Sequence, residues 1–210
     1  DLSMGMPGMH GMGYANWALH EADLMIVVGA RFDDRVTGNP KLFSPGTKVI
    51  HIDADAAEIN KIRHADVALV ADARTALEAL VPLCQPRERT AWEAALLQKK
   101  QEMALSYRWT DAGMPPQFVL EKLNEIVGPE AIVVTDVGQH QMWSAHYMKV
   151  DQPRHWLSSG GLGTMGYGYP AAIGAQFGNP DRLVVDISGD GSIQMNIQEM
   201  ATARHHQLPV

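Results

Sequence analysis

Apolar residues along this chain come in short blocks separated by turn-forming residues, and the blocks alternate with stretches of helical period. Residues 24–30, 48–53 and 67–71 are dense in aliphatic and β-branched side chains. Continuous runs of this length suit strands buried on both faces of a parallel sheet. Around them, residues 13–22, 56–64 and 74–83 read as helices. From residue 117 the alternation resumes: a helix to 127, a strand at 131–135, a helix over 139–148 and a short strand at 155–158. A glycine-rich turn, a helix from 170, a strand from 183 and a helix over 193–205 complete it. Strands alternating with helices predict an α/β fold with two doubly wound parallel-sheet units.

A boundary falls naturally at 82–86, between two prolines, and residues 87–107 read as an amphipathic connecting helix. Gly113, Pro115 and Pro116 break that helix. The expected organisation is one domain over 1–84, a linker helix and loop over 85–116, and a second domain over 117–210. The chain opens on Asp1 inside a Met/Gly-rich stretch and closes on residues that look like the entry to another strand, so a piece of a longer protein is expected.

Charge adds mostly exclusions. Charged residues make up 20% of the chain and the formal net charge is −7, with no Lys/Arg run, which gives a nucleic-acid role little support. No apolar stretch is long enough to span a bilayer as a helix, and the first residues lack a signal-peptide pattern. A single cysteine, Cys84, excludes an internal disulfide and suits a reducing cytoplasm.

Five segments carry candidate chemistry. The strand from 183 ends on Ser188-Gly189-Asp190-Gly191-Ser192. Glycines there let the backbone close on phosphate oxygens, and Asp190 offers one hard ligand to Mg²⁺; a hairpin turn is the alternative. Asp53 follows Gly29 at about the offset of ~20 residues that places an acid on a ribose hydroxyl in dinucleotide-binding sheets, although Asp53 and Asp55 also suit a helix start. Gly29-Ala30-Arg31-Phe32-Asp33-Asp34-Arg35-Val36-Thr37-Gly38 concentrates two arginines and two aspartates at a strand end, for an anion or for surface ion pairs. Gly161-Leu162-Gly163-Thr164-Met165-Gly166 fits a nicotinamide-dinucleotide pattern, with Asp186 further on, but Gly168 and Pro170 delay the helix that pattern needs. His140 stands just after a strand, where helix N–H groups favour phosphate, or it simply caps that helix. His205-His206 reads as an exposed helix end without a metal.

Together with Gly8-Met9-His10-Gly11 and Asp136-Val137-Gly138-Gln139-His140-Gln141-Met142-Trp143, these strings occur in one order. The chain thereby resembles the catalytic subunits of the acetohydroxyacid (acetolactate) synthases, in the thiamine-diphosphate enzyme family, over essentially its whole length. The resemblance implies the later part of a central FAD-binding domain followed by the earlier part of a thiamine-diphosphate-binding domain. It implies that Asp190 binds Mg²⁺ and, with Gly189, Gly191 and Ser192, holds thiamine diphosphate. Val137, Gly138, Gln139 and His140 would line the diphosphate, and Gly163 and Met165 would contact the cofactor. FAD would run along Met9, His10, Gly29, Ala30, Arg31, Asp33, Arg35, Val36, Asp53 and Asp72, reaching Gln141, Met142 and Gly160. Arg35 would also recognise the carboxylate of the second 2-keto acid, so Arg35 and Met165 are the implied catalytic positions.

The implied reaction condenses pyruvate with pyruvate or 2-ketobutyrate, losing CO₂, in branched-chain amino acid biosynthesis. A homo-oligomer and a small regulatory subunit are implied as partners. The family's activating glutamate and second metal-binding asparagine fall outside this sequence, so the piece alone is not expected to turn over. Pyruvate oxidase, glyoxylate carboligase and a non-catalytic nucleotide-binding module are the alternatives.

Overall fold

The computed structural model describes residues 2–111 and 113–210; Asp1, in the first expected domain, and Ala112, in the expected linker, lie outside the described residues. The chain divides into two compact units, Asp1–Leu105 and Ser106–Val210.

The first unit runs α1 (Gly13–Glu21), β1 (Leu24–Val28), α2 (Asp34–Thr37), β2 (Lys48–Asp53), β3 (Val67–Val70), α3 (Ala73–Leu80) and α4 (Thr90–Glu102). Its three strands are parallel in the order β1-β2-β3. Met25 and Val49 bury one face with Phe32, Ala65 and Leu19. Buried hydroxyls tie the β2 approach to α1: Ser44 Oγ donates to the Leu19 carbonyl at 2.8 Å, and Thr47 Oγ1 donates to that of Ala22 at 2.7 Å. The expected connecting helix packs on α1, with Trp17 and Trp92 stacked 5.7 Å apart and the Lys99 ammonium 5.6 Å from the Trp17 ring centre.

Two expectations for this unit are corrected. Residues 56–64 form successive turns rather than a helix. Asp55 Oδ1 accepts the Ala57 N–H at 2.9 Å and Asn60 Oδ1 accepts that of Ala65 at 2.8 Å. These short side chains compete with the helical ladder for backbone donors, and Asn60 sits in the left-handed region at φ 61. The helix expected over 87–107 is confined to α4, none of whose residues is buried, so it presents no continuous apolar face.

The second unit runs α5 (Pro116–Val127), β4 (Ile132–Thr135), α6 (Gln139–Tyr147), β5 (Trp156–Ser158), α7 (Gly168–Gly178), β6 (Val184–Ile187), α8 (Asp190–Gln194) and α9 (Glu199–His205). Its strands are parallel in the order β5-β4-β6. Alternate residues of β4 serve opposite cores: Ile132 and Val134 pack with Ala172 of α7 and with Val184, while Val133 packs with Leu120 of α5 and with Met148. Burial on both faces explains why this strand is apolar without alternation. The helix expected over 193–205 is interrupted after α8, where turn-type bonds such as Met195 N–H to Ser192 and Glu199 N–H to Asn196 replace the helical ladder and Asn196 Nδ2 donates to the Gly166 carbonyl, 2.6 Å away.

Candidate functional site

In the second sheet the chain passes from central β4 to β5 on one side, then returns across β4 to β6 on the other. Open α/β sheets bind ligands at the carboxyl ends of strands where the order reverses. The segments that follow β4 and β6 meet at that edge. Gly138 precedes α6, and the His140 ring occupies the space between Gly138 and Gly189. A Cβ built on Gly138 would lie 2.8 Å from His140 Cε1, and one on Gly189 would lie 2.7 Å from His140 Nδ1. His140 Nε2 is 3.5 Å from Ser192 Oγ, which accepts the Gly189 N–H at 3.0 Å. Burial pushes the His140 pKa down, opposed by the Asp136 and Asp190 carboxylates and a hydrogen bond to the Asp136 backbone.

Asp190 is the exposed first residue of α8, so the Gly-Asp-Gly-Ser segment is a strand-to-helix turn and not a hairpin. A Cβ on Gly163 would touch Val137 Cγ1 at 3.8 Å, and one on Gly191 would touch Met165 Cε at 3.8 Å. The glycine loop 159–167 therefore joins the same crevice. Among the described residues no group of three or more His, Cys, Asp or Glu is placed to hold a metal ion by itself. Asp190 offers one carboxylate, which suits an ion whose other ligands come from a bound diphosphate. Gln139 is exposed beside His140, and Gln141 turns away to Ser158 Oγ at 2.8 Å.

The dinucleotide alternative for 161–166 is not met. The loop spans residues 159–167 between β5 and α7, too long for the tight turn that motif needs. Asp186 lies within β6, accepting Ser188 Oγ at 2.6 Å, and its Oδ1 is buried without a partner. Burial pushes its pKa up to about 6, with Ser188 pulling it down and the Asp136 charge adding to the rise.

In the first unit the expected flavin-contacting residues collect at the carboxyl ends of the strands. Gly29 follows β1 at φ 60, Asp53 ends β2, and Asp72 follows β3 as the cap of α3. Asp53 and Asp55 start no helix. Asp33 caps α2, accepting the Arg35 and Val36 N–H groups, and lies 3.4 Å from Arg31. Met9 donates its N–H to the Arg35 carbonyl at 2.7 Å, bringing the Gly8-Met9-His10-Gly11 segment to α2. A cleft of ≈ 570 Å³ lies there, lined among others by Met9, Trp17, Arg35 and Phe43. The Arg35 guanidinium is exposed, 3.4 Å from Asp34. Met142 and Gly160 belong to the second unit.

Sequence reasoning missed Asp136. It is 1% exposed, and its carboxylate accepts N–H groups from Val137, Gly166 and Gly168.

Two family models match the chain: thiamine pyrophosphate enzyme, central domain, over residues 1–80, and thiamine pyrophosphate enzyme, C-terminal TPP binding domain, over 136–210. Acetolactate synthase 1, chloroplastic, of Nicotiana tabacum is 46% identical across the whole chain, which covers 32% of that protein. Acetolactate synthase isozyme 1 large subunit of Escherichia coli (strain K12) is 48% identical across the whole chain, which covers 37% of it. Acetolactate synthase 1, chloroplastic, of Oryza sativa subsp. japonica is 48% identical, again over the whole chain and 33% of its own length. The chain thus spans about a third of the length of the curated relatives it matches.

Proposed function

Because the chain belongs to the thiamine pyrophosphate enzymes, matching acetolactate synthase from end to end, we propose that the protein carrying it makes acetohydroxy acids from 2-keto acids. Two pyruvates would yield 2-acetolactate and CO₂; pyruvate with 2-ketobutyrate would yield the ethyl homologue. One observation carries this reading: residues 137–140, 163–165 and 189–192 converge at the reversal point of the second sheet around the His140 ring.

Thiamine diphosphate, when bound, supplies the carbanion chemistry that links decarboxylation to carbon–carbon bond formation. The chain's own residues bind and orient it. Asp190 would carry Mg²⁺, the glycines 189 and 191 would admit the diphosphate to the backbone, and Met165 would give apolar support. Desolvation favours a neutral His140 ring, able to donate one hydrogen bond without adding charge.

FAD binding by the first unit is the finer part of the reading, supported by Gly29, Asp53 and Asp72 on adjacent strand ends and by Met9 held to Arg35. Arg35, exposed and planar, suits recognition of the acceptor carboxylate. Self-association and a regulatory subunit rest on the resemblance alone. No helix among the described residues is long and apolar enough to cross a membrane, and the relatives include chloroplastic and bacterial proteins.

The test is product analysis of the full-length protein with pyruvate or glyoxylate, in the presence of thiamine diphosphate, Mg²⁺, FAD, inorganic phosphate and O₂. Acetolactate is expected, and Asp190→Asn should abolish Mg²⁺-dependent cofactor binding. Acetyl phosphate from pyruvate, or tartronate semialdehyde from glyoxylate, would replace this reading with an oxidase or a glyoxylate carboligase.

A further inference from the structure

The glycine loop between β5 and α7 is joined to α6 at its start, where Gln141 Nε2 donates to the Ser159 carbonyl at 3.5 Å. Residues 160–165 are all exposed. Inside the loop, Ser159 accepts from Gly163 and Thr164, which shapes the turn without fastening it. The densest set of bonds lies at its carboxyl end. Gly166 N–H donates to both oxygens of Asp136, at 2.9 and 3.1 Å, and Gly168 N–H donates to Oδ2 at 2.9 Å. The same carboxylate accepts the Val137 N–H at 2.7 Å. A second tether runs from Asn196 Nδ2 to the Gly166 carbonyl.

We infer that Asp136 is a positioning residue: its buried carboxylate locks the glycine loop 159–167 to the turn 137–140, so that Gly163 and Met165 are held ready for the cofactor. The chemistry of the site calls for an acid. An ionised carboxylate is acceptor-only on both oxygens, so it can satisfy three backbone donors with none facing a like group. An amide of the same shape turns one oxygen into a donor and leaves a buried N–H opposed to it. The backbone reaches Asp136 only because the loop has no side chains where they meet. A Cβ on Gly168 would lie 2.7 Å from the Asp136 backbone nitrogen, and one on Gly166, itself at φ +89, would lie 2.7 Å from Asn196 Nδ2. Gly168 is also the first residue of α7, whose amino-terminal dipole favours an anion at that point. One side chain thereby couples the ends of β4, the loop and α7.

This inference rests on the thiamine diphosphate reading of the site, and the experiment separates the two. In the full-length protein, amide hydrogen exchange across 159–168 is measured without cofactor, and thiamine diphosphate with Mg²⁺ is titrated by fluorescence. Asp136→Asn is expected to raise exchange at Gly166 and Gly168 by about tenfold or more while β4 and β6 amides stay protected. It should weaken cofactor binding by about tenfold or more. Asn196→Ala, which removes the other tether without touching β4, should shift both readouts in the same direction by less. Glu130→Gln, at the amino end of β4 and bonded to Arg182 rather than to the loop, should leave loop exchange unchanged. Unchanged exchange in Asp136→Asn overturns the inference, as does faster exchange with wild-type cofactor affinity. Should Asp136→Asn fail to fold, Asn196→Ala decides by the same two readouts. A wild-type protein that binds no thiamine diphosphate refutes the functional reading, while the exchange data still report on the lock.

Discussion

Gly168 and Gly174 lie in the same helix, and alanine should act on them with opposite sign. At Gly168 the backbone conformation is ordinary, so the obstacle is space alone. The added Cβ would sit 2.6 Å from Asp186 Oδ1, 2.7 Å from the Asp136 nitrogen and 2.8 Å from Asp136 Cβ. Two of those atoms belong to the end of a strand buried on both faces and cannot give way cheaply. Overpacking of this kind costs about 1–3 kcal/mol. Displacing the helix start also weakens the Gly168 N–H bond to the Asp136 carboxylate, a charge-assisted bond worth about 1.5–3 kcal/mol. Alanine returns about 1 kcal/mol through helix propensity, leaving a net loss of about 2–4 kcal/mol. At Gly174 nothing lies within 4 Å of the added Cβ, so only the propensity gain of about 0.5–1 kcal/mol remains. Urea unfolding followed by far-ultraviolet circular dichroism should therefore show Gly168→Ala losing about 1 M or more in midpoint and Gly174→Ala gaining a few tenths. A Gly168→Ala midpoint equal to or above wild type would refute the argument that the helix start is pressed against Asp136 and Asp186.

Three further outcomes follow from the same packing. Burial raises the Asp186 pKa to about 6, so the folded state prefers the neutral acid; its contribution is complete below the unfolded value of about 4 and is lost as pH rises through 6. Asp186→Asn should accordingly be more stable than wild type at pH 7.5, with the difference shrinking below pH 5; a gap independent of pH would contradict this. Asp33→Ala removes the cap of α2, should cost about 1 kcal/mol locally, and should speed tryptic cleavage after Arg31 and Arg35. Gly189→Ala should drive the His140 ring from its seat and weaken thiamine diphosphate binding more than it lowers the unfolding midpoint, since the ring is only half-buried.

Strands were the most legible elements: Ile132–Thr135 owes its apolar continuity to burial on both faces of a parallel sheet, whereas Leu24–Val28 reads the same way although Leu24 and Ile26 are exposed. The sheet order β5-β4-β6 was not legible, since strand content says nothing about which neighbours pair. Helices failed where polar side chains outcompete the backbone ladder, at Asp55 and Asn60, and where turn-type backbone bonds replace the ladder after α8. At the site, glycines and Asp190 stood out by motif, whereas Asp136 did not: its role depends on backbone donors about thirty residues away, at Gly166 and Gly168, which no local pattern reveals.

His140 fills the volume that side chains at 138 and 189 would need, so these three positions form one unit for anyone diversifying the crevice. Trimming the ring to alanine makes room beside residue 189, and the pair His140→Ala with Gly189→Ala should remove the strain that Gly189→Ala alone places on the ring. Position 138 gains nothing from that exchange, because at φ 154 it is closed to L side chains whatever stands opposite. A combinatorial library that randomises 140 and 189 jointly while leaving 138 fixed would recover unstrained pairings that one-at-a-time scanning never samples.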